Sequence, residues 1–156
     1  MKISMDDGRY RGIKDEIVRL EAAIPGIGGM YIDGGEVVIY APRDAVREDV
    51  ISALAHAAES MAITPDLRAQ LARGDRIRLK PANFALSQLL TWERALEDSV
   101  ARVAGFTGIN ADESLNQIRI NVADPATVPE IEPLVVAAGV PLDAVAFRIA
   151  PMPVAS

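Results

Sequence analysis

Met30-Tyr31-Ile32-Asp33-Gly34-Gly35-Glu36-Val37-Val38-Ile39-Tyr40 sets two short apolar runs either side of a glycine pair. Such runs joined by Asp-Gly-Gly read as two strands linked by a tight turn, because glycine adopts the positive φ angles that such turns require. Working back from this hairpin, Ile13, Ile17, Leu20 and Ile24 recur at intervals of three and four, which predicts an amphipathic helix ending at Pro25-Gly26. Working forward, Asp44 is read as the N-cap of a helix with Val46, Val50, Ile51, Leu54 and Ala58 on one face. Thr64-Pro65-Asp66 restarts a shorter helix that carries Leu67 and Leu71 and stops near Gly74. The alternation Arg76-Ile77-Arg78-Leu79-Lys80 then reads as a half-exposed strand.

The same order of elements recurs in the second half with different side chains. A helix from Phe84 to Val103 carries Leu86, Leu89, Leu90, Leu96, Val100 and Val103 as a stripe around Trp92, and Gly105 closes it. Phe106–Ala111 and the alternating Ile118, Ile120 and Val122 form a second strand pair around Asp112-Glu113-Ser114-Leu115-Asn116. Asp124-Pro125-Ala126-Thr127 starts a helical segment weakened by Pro129 and Pro133, Gly139 ends it, and Ala144–Ile149 forms the last strand. Each half is thus helix, strand, strand, helix, strand. A helical crossover returns the chain in the same direction, so each third strand is expected to run parallel to the second, and to lie beside the first. The prediction is an α+β class: two related units, 1–82 and 83–150, each with a small three-stranded sheet covered by helices on one face, and an extended tail, 151–156.

Composition narrows the chemistry. A chain of 156 residues buries roughly 70% of the surface it exposes when unfolded, so it needs no cross-link or metal to fold. There is no cysteine, which excludes thiol catalysis, disulfides and iron–sulfur clusters, and there is a single histidine, His56. Net charge is −6; residues 1–80 hold 12 basic and 13 acidic side chains, whereas 81–156 hold 4 and 9. An acidic chain repels phosphate backbones, so no nucleic-acid partner is expected. No apolar run approaches the ~20 residues that cross a bilayer, and no membrane partner is expected. Met1-Lys2-Ile3-Ser4-Met5-Asp6-Asp7 has no apolar stretch behind its positive charge and does not read as a secretory signal.

No residue pattern builds an active site. His56 stands three residues before Glu59, a pairing that could serve acid–base work, but no Ser, Lys or Asp is tied to it by a recognisable spacing, and it reads as a helix-surface residue. Gly26-Ile27-Gly28-Gly29 follows a helix and opens a strand, the reverse of a phosphate loop. The acidic pairs Asp6-Asp7, Asp15-Glu16 and Asp112-Glu113 lack metal-loop spacing and read as turns and solvated helix faces. Arg73-Gly74-Asp75 matches a cell-adhesion tripeptide but sits where a helix-to-strand turn needs glycine. Arg76, Arg78 and Lys80 form a basic strand face that attracts an acidic partner or blunts a sheet edge, the second being favoured. The few aromatic residues, among them Tyr31, Tyr40, Phe84, Phe106 and Phe147, occupy apolar positions and read as core. The chain is therefore expected to be a non-enzymatic binding module without metal or cofactor.

Three segments carry a resemblance. Ile24-Pro25-Gly26-Ile27-Gly28-Gly29-Met30-Tyr31-Ile32-Asp33, continuing through Val37-Val38-Ile39-Tyr40, resembles an opening motif of the pro regions of secreted bacterial chymotrypsin-like serine proteases, the propeptides of alpha-lytic protease and the streptogrisins. Gly108–Val122 is similar to a later hairpin motif of that family, with Gln117 where the family carries a basic residue, and Gly139-Val140-Pro141-Leu142-Asp143-Ala144-Val145 to its approach to the last strand. The resemblance spans about residues 12–150. It implies a propeptide that acts as an intramolecular chaperone and protease inhibitor, with the second unit's sheet against a protease domain and the tail in its substrate cleft. Residues implied in partner binding are Val145, Phe147, Ile149, Met152 and Val154. An extracellular or periplasmic setting follows if a signal peptide has been removed, and a cytoplasmic one if the chain is complete. The alternative reading is a free-standing interaction domain of the same fold, self-associating through sheet edges.

Overall fold

The computed structural model describes residues 18–151, so Ile13, Ile17, Met152 and Val154 lie outside the described residues. The protein is α+β, with two three-stranded sheets. Two compact units divide at Ser87/Gln88, and each is built on the same strand pattern.

In the first unit, helix α1 (18–23) leads into strands β1 (Gly29–Asp33) and β2 (Glu36–Ala41), followed by helices α2 (Arg47–Ala58) and α3 (Pro65–Arg73) and strand β3 (Ile77–Pro81). β1 and β2 are antiparallel and turn through Gly34 and Gly35, both at positive φ, as a two-residue hairpin requires. β3 runs parallel to β2, but lies beside the second strand and not the first, so the order is β1-β2-β3. β2 itself suits the central place: Val37, Val38 and Ile39 are apolar without interruption and fully buried, whereas β3 alternates and suits an edge. Val37, Ile39, Met30 and Ile77 pack with Leu20, Ile24, Leu54 and Leu71 into one core.

Asp44 does not cap α2. The cap is Val46, half-exposed and without a side-chain bond, because a turn closed by the Ala45 N–H on the Pro42 carbonyl (3.0 Å) holds Asp44 upstream of the first helical residue. Thr64 does cap α3, its hydroxyl accepting the Leu67 N–H at 3.3 Å. Gly74 ends α3 in the left-handed region at φ 62°, and a Cβ there would lie 2.8 Å from Ile51 Cγ2. Gly74→Ala is therefore expected to destabilise the first unit by about 1–3 kcal/mol, from positive-φ strain plus the displaced Ile51, measurable by urea denaturation; no loss would mean the turn relaxes freely.

The second unit contains most of helix α4 (Leu86–Val100), then strands β4 (Phe106–Asp112) and β5 (Gln117–Val122), helix α5 (Val128–Ala137) and strand β6 (Val145–Ile149). α5 forms despite Pro133 in its interior, with Ile131 and Val135 fully buried on one face. Asp124 caps the short 3₁₀ turn before it, accepting the Ala126 N–H at 2.8 Å. β4 and β5 are antiparallel, β5 and β6 parallel, and the order is again β4-β5-β6. Ile118, Ile120 and Val122 are fully buried, as their alternation predicts.

Candidate partner-binding edge

β6 enters its sheet through a 3₁₀ turn, Leu142–Ala144, in which the Pro141 carbonyl accepts the Ala144 N–H at 3.0 Å and the Leu142 carbonyl accepts the Val145 N–H. Its register places Val145 opposite Ile118, Phe147 opposite Ile120 and Ile149 opposite Val122, so these three side chains share the apolar face of the sheet. Burial falls along the strand: Val145 is buried, Phe147 half-buried and Ile149 48% exposed. Ala146 and Arg148 project from the other face, beside Arg119 and Asn121.

The backbone direction follows from one bond beyond the strand end. The Ala150 N–H donates to the Val122 carbonyl at 2.8 Å, so Ala150 faces β5. Because amide groups alternate sides along a strand, Arg148 and Ala146 also face β5, and Phe147 and Ile149 present their N–H and C=O groups to the outer edge. Among the described residues no strand pairs with that edge. The Val145 N–H is taken by the Leu142 carbonyl, but its C=O points outward with the others.

The corresponding strand of the first unit is blocked at the two ends of its outer edge. The Ala82 N–H donates to the Ala41 carbonyl at 2.8 Å, which makes Ile77, Leu79 and Pro81 the counterparts of Val145, Phe147 and Ile149. Pro81 has no N–H to offer, and the Ile77 carbonyl accepts Nη2 of Arg47 at 2.7 Å. In the second unit the far edge is guarded too: Glu93 of α4, only 6% exposed, accepts the Ala111 N–H of β4 on its Oε1 at 3.2 Å. Burial above all, and then Glu97 one turn on, pushes the Glu93 carboxyl up to about 7; the Ala111 amide and Arg94 oppose the rise.

Other candidates resolve into structure. Arg76 donates to the Gly34 carbonyl at 2.8 Å, Arg78 lies 3.5 Å from Asp33, and Lys80 donates to the Tyr31 hydroxyl at 2.8 Å while lying over the Tyr31 and Tyr40 rings. The hydrogen bond to Tyr31 raises the Lys80 pKa above its ordinary value. The basic strand face is thus engaged with its own sheet. Arg73-Gly74-Asp75 is the C-cap of α3, its amides bonding Gln70 and Leu71 carbonyls. His56 is exposed in the last turn of α2, and Glu59 is that helix's C-cap. A surface groove of about 430 Å³ in the first unit, lined by Gly26, Pro42, Arg43, Asn83 and Phe84, has one charged group, Arg43, which donates to Asn83 Oδ1 at 2.7 Å. Among the described residues no three His, Asp or Glu side chains cluster so as to hold a metal, and no helix is long and apolar enough to cross a membrane.

No protein-family model matches the chain, and no curated protein sequence matches it.

Proposed function

We propose that this protein is a non-catalytic binding module of the kind that precedes secreted bacterial chymotrypsin-like proteases, assisting the folding of such a domain or inhibiting it. The observation that carries the reading is the contrast between two equivalent strands: β3 is blocked at both ends of its outer edge by Pro81 and Arg47, whereas among the described residues no strand pairs with the outward Phe147 and Ile149 amides of β6, which lie beside an exposed Ile149. Exposed edges are ordinarily protected, so an open one within a doubled module is suited to accept a strand from a partner. Val145, Phe147 and Ile149 supply both the backbone edge and the apolar face beneath it, and residues beyond Pro151, Met152 and Val154 included, continue the chain from this strand.

The test is refolding. Adding the purified chain to a denatured chymotrypsin-like bacterial protease is expected to raise the yield of active enzyme, or to block peptide cleavage by the folded enzyme. Phe147→Pro, which deletes an outward amide without touching the β5 ladder, is expected to weaken either effect. Absence of both effects across micromolar concentrations of the chain overturns the proposal.

A further inference from the structure

The same edge also fits a second copy of itself. We propose that two chains pair β6 against β6 in antiparallel fashion about a two-fold axis at Phe147, joining their sheets into one. Pairing about Phe147 sets Phe147 against Phe147 of the second copy, Val145 against its Ile149, and Ala146 against its Arg148. Phe147 exchanges two hydrogen bonds with its copy, and each Ile149 N–H meets a Val145 carbonyl, so four outward groups of each strand are satisfied together. On one face six apolar side chains form a continuous row, which covers the exposed Ile149. On the other, each arginine meets an alanine and no like charges stand directly opposite.

Each neighbouring register loses on charge or on hydrogen bonding. A two-fold axis at Arg148 would bond the Phe147 and Ile149 groups equally well, but it would set two guanidinium groups directly opposite each other, which is destabilising. An axis at Val145 would use an N–H already given to Leu142 and set Asp143 against Phe147. An axis at Ile149 would set Phe147 against Pro151, which has no N–H. Two five-residue edges bury well under the ~1,200 Å² of a standard interface, so the dimer is weak and concentration-dependent. The monomer, at the dilutions of a protease assay, keeps its edge open; this inference and the protease reading therefore stand or fall separately.

Sedimentation velocity tests it. The weight-average sedimentation coefficient of the chain is expected to rise from the monomer toward the dimer value as concentration climbs from micromolar to millimolar. Phe147→Pro, with its fold checked by circular dichroism, is expected to remain at the monomer value throughout. Ala146→Glu creates two cross-strand ion pairs with Arg148 and is expected to tighten association roughly tenfold at low salt, the gain disappearing at high salt. A monomer at millimolar concentration, a dimer indifferent to Phe147→Pro, or a dimer weakened by Ala146→Glu each overturns the pairing.

Discussion

Replacing Arg119 by leucine is expected to cost the second unit about 3 kcal/mol of stability. Asp112, at the end of β4, is 2% exposed, and its Oδ2 accepts Nη1 of Arg119 at 2.8 Å. Its Oδ1 accepts the Ser114 N–H at 2.9 Å and the Ser114 hydroxyl, which fixes the β4–β5 turn. Without Arg119 the buried carboxylate loses that counter-charge, a loss measured at ~3–5 kcal/mol for buried pairs; the bonds it retains, those to Ser114 among them, place the figure at the lower end. Arg119 is itself imperfectly satisfied, since its buried Nε has no hydrogen-bond partner. The pair is thus costly to break and only modestly favourable to keep. Adding Asp112→Asn to Arg119→Leu, which removes the buried negative charge and keeps an acceptor for Ser114, is expected to recover more than half of the loss. Trp92, the sole tryptophan, lies in the second unit and reports its unfolding in urea. A single-variant cost below about 1 kcal/mol would mean that the carboxylate finds water, against its burial.

Glu93→Gln is expected to act in the opposite direction, and only above mildly acidic pH. The folded state holds the Glu93 proton up to about pH 7, whereas the unfolded chain releases it near 4.5. Between these values the native state binds more protons than the unfolded state, so stability falls as pH rises; above both, the full cost is present, on the order of 3 kcal/mol. Glutamine keeps an acceptor for the Ala111 amide and carries no charge. The variant should match the wild type at pH 5 and exceed it by about 2–3 kcal/mol at pH 8. Parallel stability curves for the two proteins across that range would show that Glu93 is ionised at no cost, and that the β4 edge is not guarded by a buried acid.

These two residues also mark where the sequence stops being readable. The hairpins, the parallel third strands, the α3 cap and the buried alternation of β5 all follow from local spacing and turn chemistry, and the structure has them. Strand order did not follow, because the rule for crossovers fixes direction but not which neighbour is taken; the unbroken Val37-Val38-Ile39 run was the signal for a central β2. Asp44 misled because a Pro42 turn inserts two residues before the helix. Glu93 was legible in principle: Leu86, Leu89, Leu96 and Val100 form a buried seam at spacings of three, seven and four, and Glu93 fills its gap. The β6 edge was named through its side chains, but the decisive feature is the direction of its amides, which depends on pairing across 27 residues between Ile118 and Val145 and is absent from any local pattern.

The measurement closest to the central claim is amide hydrogen exchange along β6, made on the dilute chain and repeated with a chymotrypsin-like protease added. In the free chain Phe147 and Ile149 should exchange far faster than Ala146 and Arg148, which donate to β5, and the protease should slow both to the rate of their neighbours. Equal protection of all four amides in the free chain would contradict an open edge, and fast exchange at Phe147 and Ile149 in a protease complex would contradict its use.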